Sequence, residues 1–391
     1  MAGPAAPALA SRYTARIVAG VHALDRSAWE ALFPGEAESH AYYGACETAG
    51  RAGYVLSAAA VFAGGRMVAA VPLFQIDFRL DSSLQGRLRP LGAWLVRRLP
   101  GLMVLRVLGL GSPLAERCHL GLAPDLDARA REQVLAMLLA AVDARARAVG
   151  ARLVALKDVA QPDAERLDAC LRRHGFARTP SLPVATLDLP SGGLEEYLAR
   201  LSKATRKDIR RKLKGAGGIR VERRTEIEDV ADEIDALYQE TRLQSRFDYG
   251  DLETLPPDYF RAVSRALGSR AVMMLYYVGE QLAAFNLLLI EKNRVIDKFL
   301  GMRYPLAREH DLYILSWIEN VKFALTSGAP ALQSGQTAYA AKLRLGSRLT
   351  PSAIYFRHRN RVAQACLALF ARLVPFDRMD PDLRALKGRT T

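Results

Sequence analysis

Apolar residues recur along this chain in two periods, one near 2 and one near 3.6, and the alternation predicts a mixed α/β protein. Residues 57–62 and 67–74 are apolar runs joined by Gly64 and Gly65, a β-hairpin whose glycine pair supplies positive φ at the turn. Residues 106–110 form another short strand. Residues 128–149 repeat alanine and leucine at helical spacing and stop at Gly150, as expected of a helix with a C-terminal glycine. A strand over 152–159, a helix over 164–174 ending at Gly175, and a strand over 184–189 follow.

After the break Pro190-Ser191-Gly192-Gly193 the same style returns. The pattern predicts one long basic helix over 194–214, a helix over 226–244, and a third from Pro256-Pro257 to 267. Residues 271–278, 282–290 and 294–301 are three strands joined by tight turns, an antiparallel meander. A helix over 308–326 precedes the stretch from Gln333 to Gly346, which reads as a short buried strand, a polar turn and a helix stopped by glycine. A strand over 349–356 closes the series. A chain of 391 residues exceeds the usual single domain, and the break divides it into expected domains 1–189 and 190–391.

Composition narrows the partners. Half the residues are hydrophobic and a quarter charged, so the chain is globular, and its formal charge of +14 favours anionic partners: phosphates, a coenzyme, RNA or an acidic membrane surface. Cys46, Cys118, Cys170 and Cys366 lie far apart with no CxxC pair, which argues against a metal site or disulfide framework and for a reducing compartment. The amino terminus lacks a signal-peptide pattern, and no apolar run approaches the ~18 residues of a membrane span. The expectation is a soluble, cytoplasmic protein.

The basic segment 201–213, the meander, and the 333–346 segment resemble the tandem-GNAT branch of acyltransferases that contains the FemAB-like and cellulose-biosynthesis-type acetyltransferase domains. The resemblance covers residues 190–357 well and the first half only loosely. It implies two GNAT-like α/β units, the C-terminal one better formed, and N-acyl transfer from acyl-CoA, acetyl-CoA among them, to an amine of a small-molecule or cell-envelope-related acceptor, without a metal. Many GNAT enzymes carry a tyrosine four residues before the glycine that ends this helix. Here Lys342 occupies that slot and Tyr339 lies almost one turn earlier. A lysine there is also seen in the FemAB-like branch, which keeps an aminoacyl-tRNA donor open. The glycine-bearing loop that cradles coenzyme A pyrophosphate is replaced by Gly301-Met302-Arg303-Tyr304-Pro305-Leu306-Ala307-Arg308. That departure keeps a third reading open, a catalytically silent GNAT-like binding or scaffold protein.

The candidate catalytic residues are therefore Lys342, Tyr339 and Gln336, and the candidate donor-binding residues are Arg303, Arg308, Ser334 and Lys207. The alternative for Ser334 and Gln336 is capping of the following helix. For His310, between Glu309 and Asp311, a polar helix start is the simpler role. Arg200, Lys203, Lys207, Arg210 and Lys214 mark one charged face of the basic helix, opposite a packing stripe of Leu198, Leu201, Thr205, Ile209 and Leu213. That face suits coenzyme or tRNA phosphates, anionic lipid, or simple solvation. At the carboxy terminus Arg357, Arg359 and Arg361 precede Val362, Cys366, Leu369 and Leu373 at helical spacing. This amphipathic helix is expected to dock on its own protein, with contact to an anionic membrane as the alternative.

Overall fold

Gly64 and Gly65 take φ of +55° and +86°, the conformation that turns strand β2 (Tyr54–Ala63) into β3 (Arg66–Arg79). The hairpin belongs to a computed structural model that describes residues 12–50, 53–79, 104–244, 254–373 and 380–387. In the first half, β1 (Tyr13–Val18), β2, β3 and β4 (Val104–Leu110) form an antiparallel meander, and β6 (Leu153–Ala160) joins β4 in parallel. The two-residue β5 (Gly121–Leu122) pairs with β3 off this path. In the second half, β8 (Ile219–Arg224), β9 (Ala271–Val278), β10 (Gln281–Ile290) and β11 (Val295–Met302) repeat the meander, and β12 (Ala331–Gln333) joins β11 in parallel.

The two series meet through exchanged strands. The strand that follows β6 in the chain, β7 (Ala177–Asp188), pairs not with β6 but with β12 of the second half. The last strand, β13 (Arg348–His358), pairs with β6 of the first half. Strands β7 and β13 then pair antiparallel with each other. The resulting order, β1-β2-β3-β4-β6-β13-β7-β12-β11-β10-β9-β8, reads as the same arrangement from either end.

The helices repeat as well. α1 (Arg26–Leu32) and α2 (His40–Thr48) lie between the first two strands of the first series, as α7 (Ala231–Gln244) and α8 (Tyr259–Leu267) do in the second. α3 (Ala128–Ala148) and α4 (Gln161–Arg173) have counterparts in α10 (Leu312–Thr326) and α11 (Tyr339–Arg344). Trp29, Tyr42, Ile234 and Phe260 of α1, α2, α7 and α8 enter one core spanning both halves. On the opposite sheet face, α3 and α4 cover the first half. The second half is covered there by α10 together with α5 (Gly193–Arg200) and α6 (Lys203–Gly215).

A buried ionic seam also joins the halves. Lys298 of β11 meets Glu38 at 2.5 Å, Arg294 meets Glu36 at 3.0 Å and Glu291 at 2.7 Å, and Arg117 meets Glu36 at 3.1 Å. Burial opposes ionisation of Glu36, but His119, Arg117 and Arg294 outweigh it and hold this carboxyl well below the usual range.

Several sequence expectations need correction. The basic stretch is two helices, because Leu201 is extended (ψ 158°) and Ser202 starts α6 by accepting the Thr205 N–H. The helix expected over 308–326 is likewise broken into a single turn, α9 (Leu306–Glu309), and α10, because Asp311 takes φ +52°. The carboxy-terminal helix α12 (Arg361–Leu373) packs with its apolar stripe outward rather than docked.

Because β13 fills the seam between β6 and β7, its centre supports both series. The Tyr355 ring is fully buried and its hydroxyl donates to Ala164 O at 3.0 Å and to Asp168 at 2.9 Å. Tyr355→Ala is expected to lower stability by about 3–5 kcal/mol in urea unfolding. A loss below about 1 kcal/mol would contradict the packing described.

Candidate functional site

Strands β11 and β12 are hydrogen-bonded over only two residue pairs, Val295 with Leu332 and Ile296 with Gln333. Beyond them the strands part. At the same place β11 carries a bulge: Leu287 pairs with Phe299 and Leu288 with Asp297, so Lys298 is the extra residue. The bulge shifts the side-chain alternation and puts two successive ionisable residues to use, Lys298 in the seam with Glu38 and Asp297 in the space opened by the splay.

The chain leaving β12 is stitched to β7 of the first half. Ser334 N–H donates to Ala185 O at 2.9 Å, Ala185 N–H to Gly335 O at 3.2 Å, and the Gln336 amide to Leu182 O at 2.9 Å. The Tyr339 hydroxyl donates to Pro183 O at 2.8 Å. Gly335 sits at φ +81°, and a Cβ there would lie 2.9 Å from Glu116 Oε1 and 3.7 Å from Lys342 Nζ. Only glycine fits this backbone and this approach. Helix α11 starts at Ala338 (φ +53°) without a side-chain cap, so neither Ser334 nor Gln336 caps it.

Lys342, on the inner face of α11, is buried, and its ammonium donates to Ser334 O. Desolvation lowers its pKa from 10.5 to about 8, against the pull of Glu116 and Asp297. Asp297 is partly accessible in the splay, yet burial raises its carboxyl from 3.8 to about 6. The amides of Asn286 and Asn320 and the charge of Lys342 oppose that rise; Asn286 Nδ2 donates to Asp297 at 2.9 Å. Glu116 comes from the loop after β4 and is held by the Gln333 amide at 2.8 Å. A carboxylate of the first half thus closes a cluster built on the second. The Ser334 hydroxyl and the Asn286 carbonyl oxygen are buried in this cluster without partners.

The other expected residues lie elsewhere. Of the candidate trio, Lys342 alone faces the carboxylates, while Gln336 and Tyr339 reach the β7 main chain. Ser334 lies beside Lys342. Arg303 points at Leu282 O (3.5 Å), and the exposed Arg308 stacks over the Tyr304 ring at 5.6 Å. In the loop between β11 and α10 the N–H groups of Arg303, Tyr304, Ala307, Arg308, Glu309 and His310 all donate within the protein. Asp311 is paired with Lys212 of α6 at 3.1 Å.

Lys207 is exposed on α6, whose packing stripe lies inward as expected; of the basic face, Arg200 and Arg210 pair with Glu196 and Glu195. Burial pushes the Cys118 thiol up to about 12 and raises that of Cys46 as well. Among the described residues no group of three or more His, Cys, Asp or Glu side chains is placed to hold a metal, and no helix is long and apolar enough to cross a membrane.

Sequence reasoning missed Glu116, Asp297 and Asn286. For Asp297 a signal was present, since Val-Ile-Asp-Lys-Phe-Leu sets two charges inside an apolar strand.

The comparisons agree with this geometry. Residues 203–342 match the family model described as an acetyltransferase (GNAT) domain. No curated protein sequence matches the chain. Among solved structures, FemX is similar at 13% identity and a TM-score of 0.51, over 81% of this chain and 91% of its own. A tandem GNAT protein from the clavulanic acid biosynthesis pathway, solved without AcCoA, is similar at 14% identity and 0.51, over 88% and 99%. L-PGS from Bacillus licheniformis is similar at 12% identity and 0.51, over 90% and 96%. At these identities the likeness is one of fold. These findings support an acyltransferase with a GNAT domain over residues 203–342, and the repeated strand series fits two GNAT-like units.

The shifted groups give stability a pH dependence. Asp297 titrates near 6 in the folded protein and 3.8 as its ordinary value, so its contribution is present below about pH 4 and lost as pH rises to about 6. Lys342, with its pKa depressed from 10.5 to about 8, destabilises the fold below pH 8, and stability recovers between pH 8 and 10.5. Urea unfolding across pH should show Asp297→Asn reducing the acidic slope, to which the raised Asp235 also contributes, and Lys342→Met reducing the alkaline one; slopes unchanged from the parent protein would refute the assignment.

Proposed function

We propose that this protein transfers an acyl group from acyl-CoA to an amine of a small-molecule or cell-envelope-related acceptor, at the splay between β11 and β12. In this reading residues 1–189 form the amino-terminal unit and 190–391 the transferase unit. The observation that carries it is one buried cluster in which the Lys342 ammonium donates to Ser334 O, Asn286 holds Asp297 and Gln333 holds Glu116, with the Ser334 hydroxyl and an Asn286 oxygen left unpartnered; burial there raises the Asp297 carboxyl and lowers the Lys342 ammonium. Acyl transfer needs a group to take the amine proton and a positive charge to steady the oxygen of the tetrahedral intermediate. Asp297, ionised above about pH 6, takes the proton as the amine nitrogen bonds to the thioester carbon. Lys342, protonated below about pH 8, steadies the oxyanion until the carbon–sulfur bond breaks, and the departing coenzyme A thiolate takes up the proton held by Asp297 to leave as the thiol. Gln336 and Tyr339 position the turn. The raised thiols of Cys46 and Cys118 favour direct attack over a cysteine-bound intermediate.

The tandem GNAT neighbour solved without AcCoA supports acyl-CoA as donor. A second reading, an aminoacyl-tRNA donor, is favoured by the loop before α10. Six of its N–H groups are already engaged, which favours side chains such as Arg303, Arg308 and Lys207 for meeting phosphate.

The rate of acyl transfer should follow a bell over pH, rising through about 6 and falling above about 8. Lys342→Met is expected to lower kcat by about 10²–10³-fold with little change in KM, and Asp297→Asn by about 10²–10⁴-fold. A flat profile, or full activity in either variant, would overturn the assignment.

The donor is decided by binding. Coenzyme A should raise the melting temperature at millimolar concentration. No shift with coenzyme A, together with salt-sensitive binding of charged tRNA, would replace the first reading by the second. Absence of both would leave a GNAT-like binding protein.

A further inference from the structure

Helix α12 is packed the wrong way round for a helix that serves only its own core. Ala363, Gln364, Leu367, Ala368 and Ala371 face the sheet, a mostly small-residue surface. Val362, Cys366, Leu369, Phe370 and Leu373, spaced as i, i+4, i+7, i+8 and i+11, form one continuous stripe toward solvent. Val362 is 73% exposed and Leu373 69%, and no residue of the helix is buried. Leaving the largest apolar side chains of a helix in water while alanines face the protein is unfavourable unless something else covers the stripe.

The surroundings say what covers it. At the amino end of α12 lies a groove of about 410 Å³ whose lining includes Arg147, Arg357, His358, Arg359 and Arg361. The one carboxylate lining it, Asp143, is engaged by Arg357, whose guanidinium also stacks on Phe176 at 4.5 Å and donates to His174 O. Arg147, Arg359, Arg361 and, farther along the helix, Arg372 make no ion pair with any described residue. The surface therefore combines an apolar stripe, flanking arginines without counter-charges, and a cationic groove large enough for a phosphate headgroup. A second copy of the chain would bring the same arginines against each other; an anionic bilayer supplies phosphate to the groove and hydrocarbon to the stripe.

We propose that α12 and the groove at its amino end dock this protein on an anionic phospholipid membrane, with the helix lying in the interface plane, Leu369 and Phe370 inserted, and Arg359 and Arg361 on lipid phosphate. The test is co-sedimentation of the full chain with vesicles of phosphatidylglycerol mixed with phosphatidylcholine, against phosphatidylcholine alone. Cys366 supplies a second readout, because it is the one exposed thiol of the four cysteines and lies within the stripe. An environment-sensitive dye attached there should report an apolar setting on binding. The account expects capture by the anionic vesicles, release by high salt, and a loss on the order of tenfold for both Leu369→Ser/Phe370→Ser and Arg359→Ala/Arg361→Ala. The melting temperature should hold in both variants, since all four residues are exposed. Failure to bind anionic vesicles overturns the proposal. Equal binding by the variants does the same, as does a dimer that Leu369→Ser/Phe370→Ser separates while vesicles leave the protein in solution.

Discussion

The exchange of β7 and β13 between the two strand series is the constraint on which the rest of this structure depends. It lays β7 under the turn from Ser334 to Tyr339, and hydrogen bonds at Leu182, Pro183 and Ala185 fix that turn. With the turn fixed, α11 can aim Lys342 at one place only. The same seam brings the loop after β4 close enough for Glu116 to reach Gln333. The second half taken alone would lack both the strand that supports its turn and the carboxylate that closes its cluster.

Burying charge is costly unless the charges compensate one another. The seam meets this condition twice. Around Lys298, Glu38 and the Arg294 pairs leave every charge partnered, so that region reads as structural. Around Lys342 compensation is incomplete: the ammonium is depressed, the Asp297 carboxyl is raised, and Ser334 and Asn286 hold unpartnered buried oxygens. Two neighbouring groups pushed toward neutrality from opposite sides are suited to exchanging protons with a substrate. The two regions are linked, since Glu116 acts electrostatically on both Lys298 and Lys342.

Much of this was legible in the sequence where local rules decide structure. The Gly64-Gly65 hairpin, the meander from β9 to β11 and the strand, turn and helix of 333–346 form where periodicity and turn residues place them. Strand exchange was not legible, because nothing in the pattern of β13 distinguishes β6 from β12 as its neighbour. Glu116 was hidden for the same reason: 217 residues separate it from Gln333, and only the sheet order joins them. The breaks at Ser202 and Asp311 depend on single backbone angles within otherwise helical patterns. The outward stripe of α12 had the spacing of a docked helix, and only its surroundings show which face is covered.

A carboxylate from one half raises the pKa of the buried ammonium of the other, to which the proposed function assigns the oxyanion, and one substitution tests that link. Glu116 raises the Lys342 pKa and, as a smaller contributor, that of Asp297, so Glu116→Gln should move the alkaline limb of the acyl-transfer pH profile to lower pH and the acidic limb in the same direction by less. An alkaline limb that stays where it is in the parent protein would contradict the account.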